Sequence, residues 1–136
     1  MKNRLFLLAT VVAILGTFSG CGAGTSSSTL TGNWTGSTTT TLNSVANQPT
    51  TMTTSLTQNG TVVTGSATIV SSEATYTSSI AGTFNGTTFY MELSPLDLTQ
   101  CPYVVTMSYA NNVLSGRGTA YNCTVPATVE MVLKPQ

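Results

Sequence analysis

The chain has 136 residues, of which four are Lys or Arg and four are Asp or Glu, and it contains no histidine. That size holds one domain, and a chain this poor in basic residues lacks the electrostatic footing for nucleic-acid binding. The missing histidine excludes a Ser-His-Asp triad, a histidine-activated thiol and a histidine-ligated metal site.

Met1-Lys2-Asn3-Arg4 forms a short basic opening. Leu5 to Leu15 is an uncharged apolar run, shorter than the ~20 residues of a membrane span. Small residues and a cysteine follow, the layout of an export signal. Phe18-Ser19-Gly20-Cys21 resembles the lipobox of bacterial lipoproteins. The resemblance covers the first 21 residues, and Phe18 stands where that family usually carries leucine or another aliphatic residue. It implies that residues 1–20 are a signal peptide and that Cys21 becomes the acylated first residue, a lipid anchor to the membrane. An ordinary cleaved signal or an uncleaved anchor is the alternative. Gly22 stands where an aspartate would mark inner-membrane retention, so the resemblance implies a bacterial cell-envelope protein on the periplasmic side or the surface of the outer membrane. Residues 21–29 then read as lipidated cysteine and flexible polar tether, and residues 30–136 as the folded domain.

Past residue 20 the charges are Arg117 and Lys134 against Glu73, Glu92, Asp97 and Glu130. Threonine and serine make up about a third of the chain, a β-strand composition. Apolar residues recur at period two, which predicts an all-β domain.

The first strand is expected at Leu30–Gly36, with Leu30 and Trp34 on one face and Thr39 to Pro49 as a long polar connection. Met52, Thr54 and Leu56 share the inner face of the next strand. Asn59-Gly60 reads as a two-residue I′ turn, setting Leu56 opposite Val63 and Met52 opposite Ala67. After a turn at residues 71–74, Tyr76, Ser78, Ile80, Gly82 and Phe84 face inward. Asn85-Gly86 reads as a second I′ turn, with Ile80 opposite Met91 and Gly82 opposite Phe89. Pro95 to Cys101 is a loop, and Tyr103, Val105, Met107 and Tyr109 follow on the inner face. Asn111-Asn112 then places Tyr109 opposite Leu114, Met107 opposite Gly116 and Val105 opposite Gly118. A turn at Cys123-Thr124 leads to Ala127, Val129, Met131 and Leu133, and makes Arg117 and Glu130 outward neighbours. Every turn preserves one apolar face, although a one-residue slip would invert it.

Eight consecutive antiparallel strands with one apolar face predict an up-and-down meander barrel, with a β-sandwich as the alternative. Leu30-Thr31-Gly32-Asn33-Trp34-Thr35 and the hairpins after it are similar to avidin-like and lipocalin-like barrels. That resemblance implies a closed barrel able to hold a small ligand, although avidin-like biotin sites use several tryptophans and this chain has one.

With Cys21 committed to lipid, Cys101 and Cys123 remain, and an exported compartment predicts a disulfide between them. The tight hairpins share one end with the tether; the long loops form a mouth that points away from the membrane. Glu92 and Glu130 have outward parity, while Glu73 and Asp97 fall in connections, so paired-carboxylate catalysis is not expected, nor a metal or cofactor. The Asn-X-Thr triplets at Asn33, Asn59, Asn85 and Asn122 carry no assigned role. Trp34, Met52, Tyr76 and Tyr103 are the candidate ligand-binding side chains, the last three toward the mouth. The expected role is non-catalytic, structural or surface-interacting; the alternative is a lipocalin-like carrier of a small hydrophobic ligand.

Overall fold

A computed structural model describes residues 28–136. The signal segment 1–20, the acylation of Cys21 and the tether up to residue 27 lie outside the described residues.

The described chain is all-β. Its strands are β1 (Gly32–Leu42), β2 (Val45–Ala46), β3 (Thr50–Asn59), β4 (Val62–Val70), β5 (Thr75–Phe84), β6 (Thr88–Pro95), β7 (Tyr103–Ala110), β8 (Val113–Ala120) and β9 (Ala127–Pro135). From β3 to β9 each strand pairs antiparallel with the next, β1 pairs with β3, and β9 returns to pair with β1 from Leu42↔Ala127 to Trp34↔Pro135. Eight strands therefore close into a barrel, and the short β2 is a ninth that folds back on the end of β1. Direct partners can be followed around the wall from Thr41 through Thr128, Thr119, Val104, Glu92, Ala81, Thr64 and Thr57. One step beyond the Gly32↔Leu56 pair, the path reaches Thr31, ten residues below its start. That stagger tilts the strands steeply and leaves an interior just wide enough for side chains or one small ligand.

The alternation holds on every long strand. Trp34, Met52, Leu56, Val63, Ile80, Phe84, Phe89, Met91, Val105, Met107, Leu114, Met131 and Leu133 form one buried cluster. Inward glycines let the wall bend around it: a Cβ on Gly116 would sit 2.1 Å from the Thr106 carbonyl oxygen. The shape of the wall thus depends on missing side chains as well as on large ones.

Two of the expected hairpin registers are corrected, each by two residues, so the inner face survives. Asn59 pairs with Val62 and Leu56 with Gly65, leaving Gly60-Thr61 as the turn. Among the described residues here, only Gly60 has positive φ (62°), the glycine-first arrangement of a II′ turn; an I′ turn needs two such residues. Phe84 pairs with Phe89, Gly82 with Met91 and Ile80 with Leu93. Asn85 does not take a left-handed conformation. Its Oδ1 instead accepts bonds from the Thr87 and Thr88 amides at 3.1 and 2.8 Å, widening the loop. At Asn111 and Asn112 both φ values are positive (52° and 58°), and the expected I′ register holds, including Tyr109↔Leu114.

The expected loop from Thr39 to Pro49 is also corrected. Residues 39–42 continue β1, because β9 offers an unpaired edge from Glu130 to Ala127 that only β1 can fill. Asn43 and Ser44, both at positive φ, then turn the chain into β2.

Before β1 the chain runs under the barrel as a strap. Gly32, at φ 139°, turns it from that path into the wall. Ser28 Oγ donates to the Gly86 carbonyl (2.9 Å) in the β5–β6 hairpin, on the opposite side of the ring from β1. Leu30 is fully buried; its amide donates to Gln58 Oε1 and its carbonyl accepts from Trp34 Nε1, both at 2.9 Å. Leu30 thus closes the hairpin end, the floor. Leu30→Ala should lower unfolding free energy by ~2–5 kcal/mol, the range for truncating a buried leucine. Urea unfolding followed by Trp34 fluorescence measures it; a loss below ~1 kcal/mol would mean that the floor does not depend on Leu30.

Candidate functional site

Among the described residues no ionisable side chain is fully buried in the barrel's interior. The buried polar side chains among the described residues are Thr38, Thr54 and Ser78, and the hydroxyls of Thr38 and Thr54 have no hydrogen-bond partner. A buried unpaired hydroxyl costs about 1–3 kcal/mol. Among the described residues no three of His, Cys, Asp and Glu lie close enough to hold a metal.

The four candidate ligand-binding residues are spread along the inner face of the barrel. Met52, Ile69 and Tyr76 occupy one cross-strand row on β3, β4 and β5. Met52 is fully buried and Tyr76 half-buried at the rim. Tyr103 is half-buried on β7, where desolvation raises its hydroxyl pKa against a smaller opposing hydrogen bond from Thr40. Trp34 lies nearer the floor; its direct partner on β3 is Thr54, two residues from Met52. Its ring packs edge-on to Tyr109 with centroids 6.1 Å apart, and Tyr109 meets Phe84 the same way at 5.7 Å. The Tyr109 hydroxyl donates to Asn112 Oδ1 in the β7–β8 hairpin, which places this aromatic group above the floor.

The mouth is built differently from the floor. Three of its connections are tied together: the β1–β2 turn, the β8–β9 loop and the β6–β7 loop. Asn43 N–H donates to the Pro126 carbonyl (3.3 Å), and Tyr121 N–H to the Pro102 carbonyl (3.1 Å). Cys101 and Cys123 are disulfide-bonded across the last two loops, with Cα atoms 5.8 Å apart. This crown exposes Leu42, Val45, Leu96 and Val125, and Leu98 is 96% exposed. Asp97 sits between the two leucines of the β6–β7 loop; hydrogen bonds from the Thr99 backbone and hydroxyl hold its carboxyl below the usual range.

Below the crown, on the outer wall, the Tyr121 hydroxyl donates to Glu92 Oε1 and Ser94 Oγ donates to the same oxygen at 3.0 Å. The Tyr121 bond is the larger cause of a lowered Glu92 pKa, and the same bond raises that of Tyr121. Arg117 and Glu130 are direct partners on β8 and β9 and form an exposed ion pair at 2.9 Å. Two depressions open on this side. One, of about 540 Å3, lies at the rim between Asn43, Ser44, Thr119 and Pro126. The other, of about 460 Å3, lies along the wall between Val104, Arg117 and Glu130. Neither includes any of the four candidate ligand residues.

The exposed crown side chains were not singled out by sequence reasoning. Their one visible signal is that Leu96 and Leu98 share a parity inside a loop, where no buried face explains an apolar residue. No protein-family model and no curated protein sequence matches this chain.

Two measurements probe the crown. Replacing Cys101 and Cys123 together by serine should cost ~3 kcal/mol, the chain-entropy value for a closed loop of about this length. The strand signal in circular dichroism should stay intact while the denaturant midpoint falls; an unchanged midpoint would show that the disulfide does not restrict the unfolded chain. Tyr121→Phe should raise the Glu92 titration midpoint toward the usual carboxylate value, read by carboxyl-carbon NMR. A carboxylate depressed in the folded state adds stability above its unfolded pKa, and that contribution fades as pH falls through the folded value. The variant should therefore be slightly less sensitive to acid than the parent.

Proposed function

We propose that this protein is a lipid-anchored bacterial envelope protein whose role is non-catalytic and exercised by its outer surface, chiefly by the loop crown. The observation that supports this reading most is the contrast between interior and mouth. Core side chains from Trp34 to Leu133 are nearly all below 5% exposure, whereas the tied loops above them hold several leucines and valines in solvent. A rigid wall with fixed loops at one end is suited to presenting a surface. The anchor comes from Cys21, on the lipoprotein resemblance of residues 18–21, and acyl chains on that cysteine would hold the protein firmly at a membrane.

The carrier reading draws less support. A ligand the size of a small lipid needs a cavity of ~300–1,000 Å3 inside the protein. Here Met52, Val105, Met107 and Met131 fill the middle of the barrel, at 0–1% exposure.

Native mass spectrometry of the protein purified from its own host tests both parts of the proposal. The expected result is one species at the mass of residues 21–136 plus acyl chains, with no bound small molecule. A ligand retained at one per chain would overturn the surface role in favour of the carrier. For the anchor, Cys21→Ser should abolish incorporation of labelled fatty acid and release the protein from the membrane fraction; retained label would overturn it.

A further inference from the structure

We infer that the floor of the barrel, ringed by the β3–β4, β5–β6 and β7–β8 hairpins, is a docking face for a lipid surface, held against it by the strap. The inference rests on acylation of Cys21 and adds the geometry that acylation alone would leave open. An acylated cysteine on a free tether would let the barrel tumble above the bilayer. In this chain the tether ends at a fixed point: Ser28 is bonded to Gly86 and Leu30 is locked under the barrel by Gln58 and Trp34. Six residues, 22–27, lie between Cys21 and Ser28, which makes seven residue-to-residue steps. They span at most about 23–25 Å when fully extended, and less in any relaxed state. The exit point lies under the β5–β6 hairpin, so the floor is the face drawn toward the bilayer. The crown, at the far end of strands 8–11 residues long, is turned away.

Charge placement fits the same partner. Glu73 and Asp97 lie in mouth connections, and Glu92 and Glu130 lie on the wall beside Ala81 and Arg117. Among the described residues no acidic side chain lies in the floor hairpins or the strap. Lys134, paired with Thr35 near the end of β9, is the charged side chain nearest that face. Asn59, Asn85, Asn111 and Asn112 are neutral there and not repelled by anionic headgroups; the Oδ1 atoms of Asn85 and Asn112 are engaged within their own hairpins, which leaves their amide NH2 groups as donors.

The test separates this inference from the biology of the anchor. Residues 21–136, oxidised so that Cys21 is the one free thiol, are coupled through that thiol to a maleimide lipid in phosphatidylethanolamine–phosphatidylglycerol nanodiscs. A gadolinium-chelate headgroup lipid is added, and amide signals are compared with and without the metal. The expected result is loss of the Gly60, Gly86, Asn111 and Asn112 signals, with those of Ser72, Leu96 and Leu98 retained. A variant with a Gly-Ser insertion of about twenty residues after residue 27, which lengthens the tether and leaves Ser28, Leu30 and the core untouched, should recover the floor signals toward the intensity of the crown. Equal attenuation at both ends in the parent, or selective loss at Leu96 and Leu98, would overturn floor docking. Because the lipid is attached chemically, either result stands whether or not the host acylates Cys21; that separate reading fails only if Cys21→Ser keeps the fatty-acid label.

Discussion

Closure of β1 onto β9 is the constraint on which the rest of the structure depends. Nine consecutive residues of β1, Trp34 to Leu42, find partners on β9, while Gly32 to Thr38 pair with β3 on the other side. Without that ladder, β1 and β9 would be long exposed edges, open to pairing with any other chain. With it, the barrel needs few charges to stay separate from its neighbours. The ladder joins segments nearly a whole domain apart in sequence, so its loop-closure entropy is offset only when the whole meander is in register. One β1 residue out of step would displace Trp34, Thr38 and the strap together.

Closure also explains the use of glycine and methionine. The strong stagger forces neighbouring strands to coil closely past one another. A Cβ on Gly36 would lie 1.8 Å from the Val132 carbonyl oxygen, and no side-chain rotation could relieve that contact, because the obstacle is backbone. Glycine at such inward positions leaves volume that flexible chains then occupy. Met52, Met91, Met107 and Met131 supply it, all at 3% exposure or less. The unpaired hydroxyls of Thr38 and Thr54 mark where this filling is least complete in polar terms.

Much of the fold was legible in the sequence, because period-two alternation needs no knowledge of partners. The inner face was correct on every long strand, and so was the Arg117–Glu130 neighbour pair. What failed was local turn chemistry. Asn-Gly pairs at Asn59 and Asn85 look alike in sequence, but one chain bend is carried by Gly60-Thr61 and the other by an asparagine side chain that captures two amides. A two-residue error preserves parity, so the face survived the mistake. The extension of β1 through Thr39–Leu42 was hidden for a different reason. Threonine reads equally as strand or polar loop, and what decides it is the unpaired edge of β9 far along the chain, where Thr39 meets Glu130 and Leu42 meets Ala127. The candidate site was less legible still. Strand direction alone placed Tyr103 toward the mouth and Trp34 away from it; what the pattern could not show is how completely Met52, Met107 and Met131 occupy the space between them, all at 0–1% exposure.

The outer wall completes the same logic. Thr35, Thr53, Thr68 and Thr77 form one direct cross-strand row, and Ser55, Ser66, Ser79 and Ser94 form another. These rows run over β1, β3, β4 and β5 and end at Ser94 on β6; β1 to β5 carry no ionised side chain, whereas Glu92, Arg117, Glu130 and Lys134 all lie on β6, β8 and β9. A hydroxyl wall is well solvated and carries strong β propensity, so it favours the strand without favouring association through charge. In an open sheet such a wall would be hazardous, since flat uncharged strands slip in register and pair with copies of themselves. The closed ladder removes the edges that would permit it. The uncharged threonine-rich wall and the β1–β9 closure are therefore one solution: the closure makes the wall safe, and the wall's propensity helps the closure form.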